Sequence, residues 1–367
     1  MNENTYRALK NGIGIIDLYI PPFVVISGLI GNVLSFAIMI RRLRGKRTSS
    51  TTVYMAALAV VDSIILIFPL SSYWMYFNFL KNWLTDQVCR GFTFIMYAFI
   101  NYSSWLVVGM TADRYVAVRW TFKVARYCTT KRAALAIALI GTIVIGLNIY
   151  PLFTMTVALS PKTNRTVCRR TGYSPVFDKF MSIFDLAFHG LLPIIALTVL
   201  NALILSIYSR TKAEMKKITG PRTVSVKNDI REKSEKNQLT KMLLLVSAAY
   251  IALNVPIRVY RFVETVYPLN KNIDSEVISQ FVYAICHKLW YANCAVNFYL
   301  YCIGGGKSFR RDLKRLFTRD STGMNSRDYS DQENASIVSK RSVAKTPSTS
   351  NTPENGSVID IYKISSM

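Results

Sequence analysis

The chain has 367 residues, of which 51% are hydrophobic, and its formal net charge is +24. Its mean hydropathy is +0.24, and soluble proteins of this length rarely average apolar, so the composition predicts a membrane protein. The positive charge does not indicate a nucleic-acid partner, because the basic residues lie in short loops between apolar runs and not in a segment interleaved with aromatics.

Seven apolar runs are long enough to span a membrane, since about 20 helical residues cross a hydrocarbon core about 30 Å thick. The runs are Ile15–Ile40, Val53–Phe77, Val88–Val118, Ala133–Thr156, Phe180–Tyr208, Leu239–Phe262 and Val277–Ile303. The sequence therefore predicts an all-α membrane protein with a seven-helix bundle over residues 15–303. Residues 1–14 are polar and are expected to form a short extracellular segment before an uncleaved first helix.

Basic residues are concentrated in the loops after the first, third and fifth runs. Those loops carry Arg41, Arg42, Arg44, Lys46, Arg47, Arg119, Lys123, Arg126, Lys131, Arg132, Arg210, Lys212, Lys216 and Lys217, among others. The positive-inside rule places these loops in the cytoplasm. We therefore expect a multi-pass protein of the plasma membrane with its N-terminus outside and its C-terminus inside. The loop before the fifth run is an exception, because it is basic and lies on the outer side.

Beyond the seventh run, apolar side chains recur at helical spacing and basic side chains fill the other face. The apolar positions are Phe309, Leu313, Leu316 and Phe317. This pattern predicts an amphipathic helix over 304–318 on the inner leaflet of the lipid membrane, with a solvated basic helix as the alternative. Residues 319–367 are rich in Ser, Thr and Asn, which predicts a disordered cytoplasmic tail that a kinase can phosphorylate.

Polar side chains inside the apolar runs are costly unless they are buried against partners, so each is a functional candidate. These residues are Asn32, Asp62, Ser103, Asn293 and Asn297. The third run ends in Asp113-Arg114-Tyr115, and the seventh ends in Asn297-Phe298-Tyr299-Leu300-Tyr301.

Each of these motifs lies on the run where one family carries it. With Gly31-Asn32, the Asp62 of Leu-Ala-x-x-Asp, Trp83, Cys89 and the prolines Pro151, Pro193 and Pro256, the chain resembles a rhodopsin-like, class A G-protein-coupled receptor. The resemblance covers about Ile15 to Phe317. It implies a receptor that binds an extracellular ligand and activates heterotrimeric G proteins, with arrestin and a receptor kinase acting through the tail. Nothing in the sequence indicates an enzyme, because the two histidines, His189 and His287, lie far apart and no nucleophile–base pair is evident.

The resemblance also implies roles for individual residues. Arg114 is expected to pair with Asp113 at rest and to face the G protein on activation, next to Tyr115, while Tyr301 swings inward. A guanidinium suits this switch because it stays charged and offers forked donors. Three further features are implied. They are a polar cluster that can hold a sodium ion or form a plain hydrogen-bond network (Asp62, Ser103, Asn293, Asn297), a disulfide (Cys89, Cys168) and a glycosylation sequon at Asn164.

The outer half of the bundle gives hints about the ligand. Met96 stands where amine receptors carry an Asp, and Tyr291 stands where opsins carry the Schiff-base Lys, which argues against both ligand classes. The predicted pocket is instead basic: Met96, Arg258, Arg261, His287, Lys288 and Tyr291. It favours a ligand with negative or accepting groups, above all a neuropeptide, beneath a hairpin lid formed by Val157–Phe177. Cations at span ends that reach to lipid phosphate are the alternative for some of these residues.

Two positions depart from the family pattern. Asn254 stands for the tryptophan that senses the ligand in the sixth span, and Phe298 stands for the proline of the seventh. A chemosensory receptor of the same fold therefore remains an alternative. A transporter or channel is a third reading, disfavoured because no internal repeat is visible. Without its proline, the seventh span is expected to lack a kink.

Overall fold

The computed structural model describes residues 2–45, 48–79, 84–159, 166–170, 172–217, 226–266 and 273–318. Trp83, Asn164 and the predicted tail over 319–367 lie outside these residues. The described part forms seven long helices and one short terminal helix. They are α1 Glu3–Arg44, α2 Ser50–Ile65 extended by Ser71–Asn78, α3 Asp86–Arg119, α4 Thr130–Leu147 extended by Pro151–Thr154, α5 Pro175–Leu186 extended by Leu192–Lys217, α6 Val226–Val266, α7 Ile273–Gly304 and α8 Gly306–Phe317.

Helix α1 begins twelve residues before the predicted first span. Asn2 caps its start, because its side chain accepts a hydrogen bond from the backbone N–H of Asn4. Glu3 and Arg7 then form an ion pair one turn apart, at 2.6 Å. The polar N-terminal segment therefore continues the helix outward, and the predicted span Ile15–Ile40 is the middle of it.

Prolines shape three of the other helices. Pro69 lies in a π-helical turn, Leu66–Leu70, inside α2, and Pro193 follows a second such turn, Ala187–Leu191, inside α5. Proline has no N–H to donate and its ring crowds the preceding turn, so wider turns relieve the clash. In α4 the helix stops at Leu147 and resumes at Pro151, so the predicted fourth span, Ala133–Thr156, contains a break and its helix ends at Thr154.

Helix α7 packs between α1 and α6. Among the described residues, α1 to α6 each qualify as a membrane span by length and apolar composition, whereas α7 does not. Its polarity has a structural reason, because His287, Lys288, Asn293 and Asn297 are all buried in the bundle. As expected from Phe298, α7 runs from Ile273 to Gly304 without a break.

The predicted hairpin lid is present between α4 and α5. Strands β1, Met155–Leu159, and β2, Thr166–Arg170, pair antiparallel with Val157 opposite Cys168. The disulfide implied by the resemblance joins Cys168 to Cys89 at the start of α3, with their Cα atoms 5.6 Å apart. It ties the hairpin to the outer end of the bundle.

Helix α8 lies against the inner end of α1. Arg42 and Asp312 form an ion pair at 2.7 Å, and the Arg42 guanidinium also lies 5.6 Å from the centroid of the Phe309 ring. Phe309 is buried while Phe317 is exposed. The apolar stripe predicted for this helix is therefore divided between the bundle and its surroundings.

Candidate functional site

At the inner end of the bundle, Asp113 and Arg114 form the predicted ion pair. The Arg114 Nη2 lies 3.0 Å from Asp113 Oδ2. Ser50, the first residue of α2, donates from its hydroxyl to the same carboxylate oxygen at 2.7 Å and accepts from Arg114 Nη2 at 3.3 Å. The three side chains close a triangle between α2 and α3. Of these contacts, the resemblance implies the Asp113–Arg114 pair for the resting state.

Two further predicted switch residues are tyrosines. Tyr115 packs edge-on against Trp120, with ring centroids 6.2 Å apart. Tyr301 is fully buried against Phe309, and its hydroxyl has no hydrogen-bond partner among the described residues. A buried phenol without a partner is costly, so Tyr301 has a polar group that another arrangement of the bundle would satisfy.

In the middle of the bundle, Asp62 is fully buried and accepts two short hydrogen bonds. Ser103 of α3 donates to its Oδ1 at 2.7 Å, and Asn297 of α7 donates to its Oδ2 at 2.7 Å. Nearby, Asn32 of α1 donates to the backbone oxygen of Cys294 at 3.2 Å. The predicted polar cluster thus joins α2, α3 and α7, and Asn32 links α1 to α7 beside it.

A small cavity lies beside this cluster. Its volume is about 10 Å³, which is about the space of one water molecule. Its lining residues include Ser103, Ser104, Asn254, Trp290 and Asn293. Asn293 therefore faces the cavity, and no bond between its side chain and Asp62 is among the contacts of the described residues. The oxygens of Asp62, Ser103 and Asn293 fit the preference of a small hard cation.

The two departures from the family pattern both lie inside the core. Asn254 is buried, but its amide nitrogen donates to the backbone oxygen of Tyr250 at 2.8 Å, within its own helix. Asn254 also lines the cavity beside the Asp62 cluster. Phe298 is buried against Gly31 of α1, where an added Cβ would lie 2.9 Å from the Phe298 Cβ.

Arg258 lies deep in the outer half, as its place two residues after Pro256 predicted. Its guanidinium carbon is 5.3 Å from the centroid of the Trp290 ring. Its aliphatic part passes so close to Gly190 that an added Cβ there would lie 2.8 Å from the Arg258 Cδ. The Arg258 Nη2 is buried and has no hydrogen-bond partner among the described residues.

Nearer the outer mouth, Arg261 stacks on Tyr283, with its guanidinium carbon 5.1 Å from the ring centroid. It also pairs with Glu264 at 3.1 Å. Together with Tyr260, Ser279 and Gln280 these residues line a recess of about 300 Å³ between α6 and α7. Arg261 is thus partly neutralised and partly exposed, unlike Arg258.

Lys288, like Arg261, already has a carboxylate partner. Its Nζ lies 2.5 Å from Asp17 Oδ1 in α1 and 4.7 Å from the centroid of the Tyr73 ring. His287 is buried between Tyr73 and Tyr283, with ring centroids at 4.7 and 5.1 Å. Sequence reasoning missed Asp17, although an acidic residue inside an apolar run was a visible signal.

A second acidic centre was also missed. Asp185 of α5 accepts from the Tyr150 hydroxyl at 2.6 Å and pairs with Arg170 of β2 at 3.5 Å. His189, one turn further along α5, lies 3.4 Å from the same carboxylate. Asp185 therefore fixes the second hairpin strand to α4 and α5. Of the remaining pocket residues, Met96 is half-buried against the core, and Tyr291 is fully buried with its hydroxyl unpartnered among the described residues.

The bundle, the triangle at Arg114 and the Asp62 cluster together define a seven-helix membrane receptor. Comparison with known families agrees: the chain belongs to the rhodopsin family of seven-transmembrane receptors, and the match covers residues 31–301.

Three curated relatives of the chain come from two mammals and a bird. The thyrotropin-releasing hormone receptor of Gallus gallus is 25% identical over 79% of this chain and 75% of its own length. The growth hormone secretagogue receptor type 1 of Sus scrofa is 26% identical over 77% of this chain and 74% of its own length. The galanin receptor type 2 of Homo sapiens is 24% identical over 80% of this chain and 70% of its own length.

Proposed function

We propose that this receptor binds an extracellular neuropeptide between its outer helix ends and activates heterotrimeric G proteins at its inner face. The N-terminus lies outside the cell and the C-terminus inside, with Asn164 glycosylated on the outer side. Family membership supports the receptor role, and the relatives are named as receptors for thyrotropin-releasing hormone, a growth hormone secretagogue and galanin. Arrestin and a receptor kinase act on the tail.

One observation carries the choice of ligand chemistry. Arg258 is a cation in the outer half of the bundle whose Nη2 is buried without a hydrogen-bond partner among the described residues. A buried donor without a partner costs about 1–3 kcal/mol, and more when it is charged. A ligand carboxylate or carbonyl at this position would remove that cost. Guanidinium groups suit such acceptors because their donors are planar and forked.

The recess nearer the outer mouth fits a peptide better than a small amine or retinal. Arg261, Glu264, Tyr260 and Gln280 offer charged, phenolic and amide groups around a recess of about 300 Å³. Peptides present alternating donors and acceptors of this kind. Lys288 is bound to Asp17, so the recognition of an acidic ligand group falls mainly to Arg258.

A ligand screen followed by one substitution tests the proposal. The receptor is expressed with promiscuous G-protein reporters and challenged with a neuropeptide library that includes acidic and amidated members. Arg258→Ala is expected to shift the dose response of the active peptide by about 30-fold or more, because truncating a partner of a buried charge-assisted pair costs about 2–5 kcal/mol. Arg258→Lys is expected to be intermediate, since an ammonium lacks the fork.

Lys10→Ala is the control for this test. Lys10 is an exposed cation on the same outer side, in the first turns of α1, and its loss is expected to leave the dose response unchanged. Surface expression of every variant is measured with an antibody. A response to peptide that survives Arg258→Ala unchanged contradicts the pocket assignment, and a library without any active peptide argues for the chemosensory alternative.

A further inference from the structure

Trp290 lies between Arg258, in the outer half of the bundle, and the small cavity beside the Asp62 cluster. Above it lies Arg258, at 5.3 Å from its ring centroid. Beside it lies the cavity of about 10 Å³ that Ser103, Asn254 and Asn293 also line. Trp290 therefore contacts both the Arg258 guanidinium and the cavity beside the Asp62 cluster.

Arg258 is held against Trp290 from the other side. Gly190 lies in the π-helical turn of α5, and a side chain there would meet the Arg258 Cδ at 2.8 Å. The glycine thus allows α5 to press the arginine side chain towards the indole. A guanidinium over an indole face within about 6 Å is attracted by the ring quadrupole, most strongly when both groups are removed from water.

Among the described residues that line the cavity, α6 contributes only Asn254 and no aromatic side chain. Asn254 faces the same cavity with a short side chain, and its amide nitrogen is already bonded to the backbone oxygen of Tyr250 at 2.8 Å. The small cavity remains where a larger side chain on α6 would lie. The aromatic ring that contacts both Arg258 and this cavity is therefore on α7, at Trp290.

We propose that Trp290 is the positioning residue that transmits the state of Arg258 to the Asp62 cluster. The proposal rests on the proposed function for the role of Arg258 in recognising the ligand. An acceptor that engages the Arg258 Nη2 draws the guanidinium from the indole. The indole then no longer holds Asn293 in place, and Asn293 shifts into the cavity that both residues line. Because Asn297 lies one turn further along α7 and donates to Asp62 at 2.7 Å, the displacement reaches the cluster.

The test needs neither ligand nor G protein. A fluorine label is attached to Lys241→Cys, an exposed position in the inner half of α6, in a Cys128→Ser, Cys302→Ser background. Fluorine NMR of the receptor in lipid nanodiscs then reports the populations of the inner end of α6. Trp290→Leu is expected to raise the minor population about two- to tenfold, because it removes the cation–π contact that holds the closed arrangement.

Two comparisons separate transmission from simple loss of packing. Trp105→Leu removes another half-buried indole, which packs on Phe188 at 5.4 Å, and is expected to leave the populations unchanged. Arg258→Gln is expected to act like Trp290→Leu, and the double variant no more strongly than either single one, since both break the same contact. Additive effects, or equal effects of the two tryptophan variants, overturn the proposal.

Two further experiments support the test. One moves the indole from α7 to α6, and the other replaces Trp290 by fluorinated tryptophan, which avoids Trp290→Leu if that variant folds poorly. Asn254→Trp places an indole four residues before Arg258, on the same helix face, so Asn254→Trp combined with Trp290→Leu is expected to restore the wild-type populations. Stepwise fluorinated tryptophan at position 290 keeps the shape but weakens the ring quadrupole, and the minor population is expected to rise with each fluorine. A minor population that stays the same as fluorine atoms are added to the ring contradicts the proposal.

The result is independent of the proposed function. If no peptide in the library activates the receptor but the minor population rises with each fluorine, the Arg258–Trp290 coupling is supported and the peptide assignment is contradicted. If a peptide activates the receptor through Arg258 but no change at Trp290 alters the α6 populations, the peptide assignment is supported and the coupling is contradicted.

Discussion

A single carboxylate oxygen organises the inner end of the receptor. The Asp113 Oδ2 accepts from both Arg114 and Ser50, at 3.0 and 2.7 Å. The side chains of Asp113 and Arg114 are each 11% exposed, so water screens the pair only partly. The pairing of Asp113 with Arg114 could be predicted from the triplet. The part played by Ser50 could not, because it depends on how α2 approaches α3.

Removal of this triangle is expected to release Arg114. Asp113→Asn should raise ligand-free nucleotide exchange on G proteins several-fold, and Ser50→Ala should raise it less, because it removes one hydrogen bond to a charged group, a contact of about 1.5–3 kcal/mol before screening. The measurement is GTPγS binding in membranes. Ser49→Ala is the matched control, since the Ser49 hydroxyl bonds to Thr52 instead, at 3.0 Å. Equal exchange in all three variants would show that the triangle does not restrain the receptor.

Cys128, in the loop before α4, depends on the same aspartate. Burial, together with the nearby Asp113 charge, raises the pKa of the Cys128 thiol to about 11. A raised pKa keeps the thiol protonated at neutral pH, and only the thiolate reacts quickly. Alkylation of Cys128 in a Cys302→Ser background should therefore be slow at pH 7 and keep rising beyond pH 9. Asp113→Asn should move this profile to lower pH, and an unmoved profile would contradict the influence of Asp113.

At the scale of helices, α7 owes its path to packing against α1. Gly28 and Gly31 remove side chains where α7 approaches, and added Cβ atoms there would lie 2.8 Å from the Ala295 Cβ and 2.9 Å from the Phe298 Cβ. Phe298, which replaces the family proline, fills the space that Gly31 leaves. The substitution therefore has a structural reason in this pair, which a reading of α7 alone could not reveal.

Gly31→Ala is expected to destabilise the receptor by about 1–3 kcal/mol, because an overpacked contact must shift the Phe298 side chain or the backbone. Combining it with Phe298→Gly should cost less than the sum of the two single variants, since glycine lacks the Cβ that the added methyl group meets. Gly14→Ala in the same helix meets nothing within 4 Å and should be neutral or slightly stabilising. Thermal unfolding of the purified receptor in detergent measures all four variants, and a neutral Gly31→Ala would refute the close contact.

At the scale of the whole molecule, the features that repeat along the chain could be predicted, whereas most of those formed by distant parts could not. Apolar runs predicted the spans, and Cys89 and Cys168 predicted how the hairpin is tied down. The ion pair of Lys288 with Asp17 joins residues 271 positions apart, and no spacing rule reveals it. For the same reason the contact of Arg258 with Trp290 appeared only in the folded bundle.

The Asp62 cluster ties α2, α3 and α7 together, so a cation bound there would stabilise the entire bundle. We expect Asp62, Ser103 and Asn293 to hold sodium, whose binding to the folded state raises its stability by mass action. Replacing sodium chloride by choline chloride at equal ionic strength should lower the thermal midpoint by about 3–6 °C.

Asp62→Asn should abolish this sodium-dependent increment, because the amide cannot balance the charge of the cation. Asn101→Leu is the control, since Asn101 bonds to Asn148 at 3.0 Å in a separate buried pair between α3 and α4, and it should lower the midpoint equally in both salts. If the increment survives Asp62→Asn, sodium binds elsewhere and the cluster is a plain hydrogen-bond network. In that case its effect on the bundle rests on the bonds from Ser103 and Asn297 alone.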